Sequence, residues 1–342
     1  MKLLTILVFL GVMVLITTER VHRTAAALVG AAVLMLVKVF SFEEALEYVD
    51  FNTIGVLVGM MLFVAVIKQS GMFEYVAIKS AKFVNADPWK MMIIFVIITA
   101  LLSSCLDNVT TVLLVGPMTI AISNLLEVNP VPYLLMQILA SNVGGTATLI
   151  GDPPNIMIGS ATGLTFLDFI KNTGGAVVMV LIVQIFMMKF LYKKSIMATE
   201  EAKSKVMALD EKKAITNPRL MRIGICVIIY IIIGFLFHDK LGIQSSVIAL
   251  SAAAFMLIIK GKHVESLIED VEWSTILFFI SLFIIVGGMQ KTGVITAMSE
   301  ALIRITEGHE LLTILVILWA SALISSILSM ADCSPTSGLE PA

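Results

Sequence analysis

A lone acidic residue stands in a long apolar stretch of this sequence. Asp107 is the only Asp, Glu, Lys, Arg or His among the 36 residues from Met91 to Leu126. An aspartate at mid-membrane costs roughly 2.5–3.5 kcal/mol on insertion scales, so we expect it to line a protein cavity or a water-filled one. Alternatively, Asp107 or Asn108 caps a helix that begins near Thr110. Both interpretations can hold, because unpaired backbone groups at membrane depth are tolerated only around a site. The surrounding polar residues are Ser103, Ser104, Asn108, Thr110 and Thr111.

A second polar segment, SNVGGTATLIGDPPN, runs from Ser141 to Asn155. It lies inside a 40-residue stretch, Val128 to Leu167, whose only charged residue is Asp152. One continuous helix cannot hold these glycines and prolines, since glycine is flexible and proline removes a backbone donor. An extramembrane loop is the alternative, but it would leave short flanking helices. We therefore predict a discontinuous helix, whose half-helix ends and free carbonyls bind ions.

Together the two segments predict a site for a small ion. Helices that start after Asn108 and after Pro154 would direct their positive ends inward, which suits an anionic or polar substrate. No Lys or Arg interrupts these runs, so a strongly anionic substrate would depend on amides, hydroxyls and a bound cation. Asp107 and Asn108 could bind Na⁺, or Asp107 could carry a proton. We expect no cofactor other than such a coupling Na⁺ or H⁺.

An intramembrane aspartyl protease is the competing hypothesis, with Asp107 and Asp152 as its paired acid and base. The GxGD motif of such proteases is absent, because Leu149 stands where the first glycine should be. The two prolines after Asp152 would also disturb a catalytic helix. We therefore expect that the protein is not an enzyme.

The composition requires a lipid bilayer as the main partner. Of the 342 residues, 58% are hydrophobic and 14% are charged, and the mean hydropathy is +1.00. Ordinary soluble domains carry roughly 25% charge, so a water-soluble fold is excluded. The net charge is −2, with no large basic block, so no nucleic acid partner is expected. Three dispersed cysteines without CxxC spacing give no support for redox or thiol-metal chemistry.

The sequence contains an internal repeat. A shift of 222 residues without a gap aligns charged and polar residues as well as apolar ones. The aligned pairs include Lys38 and Lys260, Glu43 and Glu265, Glu47 and Glu269, Asp50 and Glu272, Thr53 and Thr275, and Gly71 and Gly293. Charges that match in one register favour a duplication over chance similarity of apolar helices.

Charge placement predicts that the two copies are inverted. The segment 193–222 has eight basic and four acidic residues, so the positive-inside rule makes it cytoplasmic. The stretch 68–90 is also basic, whereas 40–50 carries four carboxylates and is expected outside. The chain must then cross an even number of times between 90 and 193, which a re-entrant hairpin satisfies. Five crossings then separate the two copies, and an odd number inverts the second.

The expected fold is an all-α polytopic membrane protein with inverted-topology repeats, each built around a re-entrant hairpin and a discontinuous helix. The predicted division is a first repeat at 1–192 with a hairpin at 91–126 and a broken helix at 132–160, a cytoplasmic linker at 193–222, an incomplete second repeat at 223–329, and a polar tail at 330–342.

The residues LDNVTT at 106–111, followed by SNVGGTATLIGDPPN, resemble the ion transporter superfamily of arsenite permeases, citrate and dicarboxylate transporters, sodium/proton antiporters and the melanosomal P protein. The similarity is strongest to the arsenical pump and P protein branch, and the GDPPN element is its most specific part. It implies a secondary active transporter of a small inorganic or organic ion, of the arsenite or citrate/dicarboxylate type, in the cytoplasmic membrane. Coupling to H⁺ or Na⁺ and a homodimer are further expectations.

The resemblance also implies the binding residues, because the first-repeat tip and loop bind substrate and cation in that superfamily. On the tip, these residues are Ser104, Asp107, Asn108, Thr110 and Thr111. On the loop, they are Asn142, Gly144, Gly145, Thr148, Gly151, Asp152 and Asn155.

The sequence departs from this pattern near its end. The shift of 222 places Asp107 on Ser329 and Asn108 on Met330, and a polar tail follows. The second hairpin arm, broken helix and last helix have no counterpart, which makes a truncated, non-transporting fragment the alternative to a transporter. On that reasoning we expect the chain alone to show no saturable flux of arsenite, citrate or sodium in liposomes. Robust flux above empty vesicles would contradict truncation.

Overall fold

The computed structural model of this protein describes residues 1–18, 20–192, 196–261, 264–306 and 309–330. Within these ranges the regular structure is entirely helical, so the all-α prediction is confirmed. The α-helices are α1 (Lys2–Thr17), α2 (Arg23–Leu36), α3 (Phe42–Glu47), α4 (Phe51–Lys68), α5 (Met72–Phe83), α6 (Pro88–Ser103), α7 (Asn108–Leu125), α8 (Val131–Gly145), α9 (Pro153–Thr162), α10 (Phe166–Tyr192), α11 (Glu200–Met207), α12 (Pro218–Leu241), α13 (Ser245–Lys260), α14 (Val264–Glu269), α15 (Trp273–Lys291), α16 (Val294–Ile305) and α17 (Glu310–Met330).

Several of these helices can cross a bilayer. In the described ranges, five are long and apolar enough by length and composition, namely α4, α7, α10, α12 and α15. Helices α1, α2, α6 and α13 are also apolar but have fewer than 18 residues. The chain is therefore a multi-pass membrane protein, as its composition predicted.

The helix boundaries follow the 222-residue shift found in the sequence. Helices α3 and α14 have matching first and last residues under that shift, and so do α5 and α16. The residues before the latter two, Gly71 and Gly293, have φ angles of 77° and 72°. Glycine fits both positions because a left-handed backbone is costly for other residues. The repeat thus extends to backbone conformation at equivalent turns.

The chain forms two compact units, and each contains helices from both copies. One unit comprises residues 1–50 together with the chain from 272 onward, and the other comprises 51–271. In the second unit α13 packs extensively along α4, and in the first unit α2 packs along α15. Under the 222-residue shift, α13 corresponds to α2 and α15 to α4. Each copy therefore contributes one partner to each of these helix pairs.

Small residues allow α4 and α13 to approach closely. Gly55 faces the side chain of Ser246, and a Cβ atom on Gly59 would lie 2.6 Å from the carbonyl carbon of Ala249. The amide of Ser246 also donates a hydrogen bond of 3.0 Å to Oδ1 of Asn52. Close approach of backbones is the usual basis of helix association in membranes, where hydrophobic burial gives little driving force.

Helices α6, α7 and α8 form the support of the polar segments. Tyr133 near the start of α8 donates a 2.8 Å hydrogen bond to the carbonyl of Pro88, the first residue of α6. Farther along α8, Nε2 of Gln137 donates to Oγ1 of Thr119 in α7, also at 2.8 Å. These side chains are buried, so their polar atoms need protein partners. The hydrogen bonds hold α8 against both arms of the α6–α7 hairpin.

The segment between the copies packs against this support. Val206 of α11 belongs to a buried cluster with residues of α5 and α7, and α11 contacts both helices. Ala202 of α11 is also fully buried. Lys205 forms an ion pair of 2.9 Å with Glu127, between α7 and α8. A 3₁₀ turn at Glu211–Ala214 follows, and Glu211 pairs with Lys82 at 2.6 Å. Exposed ion pairs of this kind stabilise little, so the buried apolar contacts matter more.

Parts of the predicted division lie outside the described residues. These are Lys193, Lys194 and Ser195 of the linker and the tail from residue 331 onward. The division into repeats, linker and tail stays a prediction.

We predict that Gly59→Ala destabilises the protein and that Gly11→Ala does not. Both glycines lie inside helices, but a Cβ on Gly59 meets the α13 backbone whereas one on Gly11 meets nothing within 4 Å. Overpacking should cost Gly59→Ala about 1–3 kcal/mol, while Gly11→Ala should gain about 0.5–1 kcal/mol of helix stability. Thermal unfolding of the two variants in the same detergent measures the difference, and equal shifts would contradict the close contact.

Candidate functional site

The tip between α6 and α7 is organised by Asp107. This residue is the N-cap of α7, and Oδ2 of its carboxylate accepts a hydrogen bond of 2.9 Å from the amide of Thr110. The carbonyl of Asp107 accepts a second one, of 3.0 Å, from the amide of Thr111. The capping interpretation is therefore correct. The carboxylate is half-buried, so its second oxygen can still meet a ligand.

The helical conformation is interrupted between α8 and α9, over residues 146–152. Side chains replace the missing helical hydrogen bonds there. Nδ2 of Asn155 donates to the carbonyls of Gly145 and Thr148 at 3.2 and 2.9 Å. Oγ1 of Thr148 accepts from the amide of Gly151 at 3.2 Å and donates to the carbonyl of Ser104 on the hairpin tip. The break is thus an ordered loop that is bonded to the tip.

Asn108 joins the two polar segments. Its Nδ2 donates to Oδ1 of Asn142 at 3.1 Å, and its Oδ1 accepts from Oγ of Ser103 at 2.8 Å. The carboxylate of Asp152 also interacts with the Asn108 side chain. Oγ of Ser103 lies 2.6 Å from the carbonyl of Ser141. Tip and loop therefore form one hydrogen-bonded network, with an amide at its centre.

Three glycines allow this close approach. A Cβ atom on Gly144 would collide with the backbone of Ala100, and one on Gly145 with Oδ1 of Asn108. A Cβ on Gly151 would collide with the carbonyl of Gly145 and lie 2.7 Å from that of Ser103. The glycines serve contact between segments, since their own φ angles are negative.

The start of α9 has few amides for a ligand. Pro153 and Pro154 occupy its first turn and have no N–H groups. The next two amides, of Asn155 and Ile156, donate to the carbonyl of Asp152 at 3.0 and 3.4 Å. The expectation that the positive end of this helix suits an anionic or polar substrate stays a prediction.

The ionisable side chains of the site are acidic. Asp107 and Asp152 are close enough to influence each other electrostatically, and no Lys or Arg occurs between Lys90 and Lys171. In the described part of the chain, no group of three or more His, Cys, Asp or Glu side chains is arranged to hold a metal ion. The ionisable groups at the site are thus two carboxylates surrounded by amides, hydroxyls and backbone carbonyls.

Most of the residues nominated from the sequence lie in this network. The exceptions are Thr110, which contributes its backbone amide, and Thr111, whose hydroxyl is fully buried and has no partner among the described residues. The nominated members of the network are Ser104, Asp107, Asn108, Asn142, Gly144, Gly145, Thr148, Gly151, Asp152 and Asn155.

Sequence reasoning missed three participants. Ser103 and Ser141 are fully buried and link the tip to α8, although each belongs to a polar segment that the sequence marks. Thr173 of α10 has its Oγ1 3.0 Å from the carbonyl of Thr146 in the break. Its neighbours in sequence form no motif, so only the fold reveals it.

Comparisons with known proteins agree with the resemblance seen in the sequence. A citrate transporter family matches residues 13–331. An uncharacterized transporter of Mycobacterium bovis is 39% identical over 332 residues, which cover 96% of this chain and 77% of the relative. An uncharacterized transporter of Synechocystis is 26% identical over 94% of this chain and 72% of its own. The human P protein is 29% identical over 93% of this chain and 48% of its own. The predicted similarity to the ion transporter superfamily is confirmed.

We predict that Asn155→Asp disrupts the break and that Asn172→Asp does not. The first change removes the donor that serves two loop carbonyls and adds a third carboxylate to the site, so it should cost about 1–3 kcal/mol for each group left unpaired. Asn172 is exposed and donates only to the carbonyl of Asp168, so its change should stay within about 0.5 kcal/mol. Thermal unfolding in detergent compares the two, and a stable Asn155→Asp variant would show that Asn155 is dispensable.

Proposed function

Because this chain belongs to the citrate transporter family, we propose that it moves a small anion together with a cation held at Asp107 and Asp152. The protein is a membrane transporter, and citrate is the first candidate substrate because the family is described by it. The observation that carries the coupling proposal is the pairing of two carboxylates in a site without a basic residue.

Electrostatics explains why a cation is needed. Two like charges 4 Å apart repel each other by about 4 kcal/mol at an effective dielectric constant of 20. A di- or tricarboxylate beside Asp107 and Asp152 would bring two or three further negative charges, and the two protein carboxylates would repel each of them. The amides of Asn155 and Ile156 at the start of α9 already donate to the carbonyl of Asp152, so they stabilise a bound anion little. A cation between the protein carboxylates and the substrate carboxylates reduces their repulsion, so substrate and cation bind together.

Both Na⁺ and H⁺ are candidates for the coupling ion. Na⁺ is a hard cation and prefers oxygen ligands, which the carboxylate of Asp107 and the amide oxygen of Asn108 provide. A proton on Asp107 or Asp152 would remove the repulsion without any coordination geometry. The same two carboxylates serve in either case, and Asn108 positions Asp152.

A transporter explains the site better than an aspartyl protease does. A protease needs one carboxyl group to activate water while its partner holds a proton. Here Asp107 is engaged in capping α7 and Asp152 precedes two prolines at the start of α9. Family membership also fits a transporter rather than an enzyme.

The proposed setting is the cytoplasmic membrane, with segment 193–222 on the cytoplasmic side because of its excess of Lys and Arg. The residues 91–126 form a re-entrant hairpin that returns to that side. The protein acts there as a homodimer. As the α6–α7 hairpin moves, the site becomes accessible from one face of the membrane and then from the other.

We predict that Asp107→Asn and Asp152→Asn weaken cation binding and that Asp168→Asn does not. Asp168 is the matched control, because it also caps a helix, through the amide and hydroxyl of Thr165 at 2.9 and 2.7 Å, but lies outside the network. Loss of a charged ligand should weaken Na⁺ binding roughly ten- to hundredfold, or abolish proton uptake on substrate binding. Radioactive Na⁺ binding and proton uptake by the purified chain measure both.

Uptake into proteoliposomes completes this test. On this proposal, in contrast to the truncation hypothesis, we expect saturable citrate or arsenite uptake that depends on a Na⁺ or H⁺ gradient and loses that dependence in Asp107→Asn. Uptake that stays coupled in both site variants would contradict the proposal. Cation binding without any uptake is the result that the fragment hypothesis predicts, and cleavage of a model transmembrane peptide would instead identify a protease.

A further inference from the structure

An open cavity lies outside the site, where α12 begins beside α13. Its volume is about 490 Å³. Its residues are of two kinds, basic at one end and apolar along the rest. They are Arg219, Arg222, Ile223, Cys226, Val227 and Phe255.

The basic end has no acidic partner. Arg219 and Arg222 are both exposed, and neither takes part in an ion pair among the described residues. Nε of Arg222 makes only a long contact of 3.4 Å with the carbonyl of Pro218, one turn earlier in the same helix. Two guanidinium groups separated by three residues lie on one face of α12, so they can contact one anion together.

The apolar part continues on the same face of α12. Ile223 and Cys226 follow Arg219 and Arg222 at helical spacing, and Phe255 of α13 forms the opposite wall with half of its surface exposed. From Arg219 to Cys226 the groove extends about 10 Å along the helix axis. α12 is one of the helices long and apolar enough to cross the membrane. The basic end therefore marks the level of the lipid headgroups and the apolar part that of the acyl chains.

We propose that this cavity binds an anionic phospholipid, with its phosphate at Arg219 and Arg222 and an acyl chain along Ile223, Cys226 and Phe255. Charge complementarity selects an anionic headgroup, since paired arginines on the cytoplasmic side attract such lipids. A free phosphate would leave the adjoining apolar groove unused, whereas a phospholipid fills both parts. The site is separate from the Asp107 network and does not depend on which ion the protein transports.

The first experiment measures lipid selectivity of the purified full-length chain by native mass spectrometry. The titrants are phosphatidylglycerol, the zwitterionic phosphatidylcholine, and glycerol 1-phosphate as a headgroup without acyl chains. Phosphatidylglycerol should bind more tightly than phosphatidylcholine by roughly 25-fold, because each basic residue at an anionic surface contributes about fivefold. Arg219→Gln with Arg222→Gln should remove this preference.

A matched variant controls for overall charge. Lys212→Gln with Lys213→Gln also removes two positive charges from the same exposed segment but not from the cavity. It should keep the preference for phosphatidylglycerol. An equal loss in both double variants would overturn the proposal in favour of diffuse attraction, and competition by glycerol 1-phosphate at equal concentration would identify a soluble phosphate site instead.

A measurement on the unmodified chain does not depend on the folding of any variant. Cys226 is exposed on the protein surface and lines the groove, so N-ethylmaleimide, a small reagent that enters the apolar phase, should label it. Peptide-resolved mass spectrometry separates its labelling from that of Cys105 and Cys333. Nanodiscs with phosphatidylglycerol should slow the labelling of Cys226 at least tenfold relative to phosphatidylcholine nanodiscs. Equal labelling rates in both lipids would overturn the proposal.

Discussion

The need to satisfy backbone groups where a helix breaks inside an apolar protein governs the rest of this structure. Residues 146–152 have no helical hydrogen bonds to offer one another, and the bilayer supplies no water. Asn155 and Thr148 replace the missing bonds, and three glycines let the hairpin tip come close enough to help. The polar residues that stabilise the loop thereby place Asp152 next to Asn108 and Asp107. Structural stability and the proposed ion binding therefore depend on the same side chains.

The sequence predicts the parts of the site better than their contacts. Asp107 and the run of Gly and Pro can be recognised from the local sequence alone. In a membrane segment a buried charge needs a polar environment, and a proline leaves a backbone carbonyl without its helical donor. The role of Ser141 could not be predicted, since it depends on its backbone carbonyl lying beside Ser103 of another helix. The two prolines that remove the first amides of α9 can be read from the sequence. That the next two amides donate to the carbonyl of Asp152, which leaves little for an anion, is known only from the structure. The repeat predicts which helices are equivalent, and not which helices are neighbours.

The exchange of helices between copies makes the fold non-local. The 222-residue shift relates α2 to α13, yet α13 packs along α4 of the other copy. This packing is possible because Gly55 and Gly59 let the backbones of α4 and α13 approach closely. The unit that contains the site includes α12, α13 and α14, and its core includes Leu267, so that core is complete only after residue 267 has been synthesised. Contacts so distant in sequence slow folding, because the chain loses loop entropy before it gains them.

The segment that joins the two copies also packs against the rest of the protein. Ala202 and Val206 of α11 are completely buried, α11 contacts α5 and α7, and the amides of Thr216 and Asn217 donate to the carbonyl of Ser70. A backbone attached at several points cannot lengthen or shorten without losing them. If the two copies were encoded by different genes, these contacts would be kept only if α11 stayed with the first copy or docked on it again. The packing of the short helix α11 therefore attaches the connecting segment to the first copy.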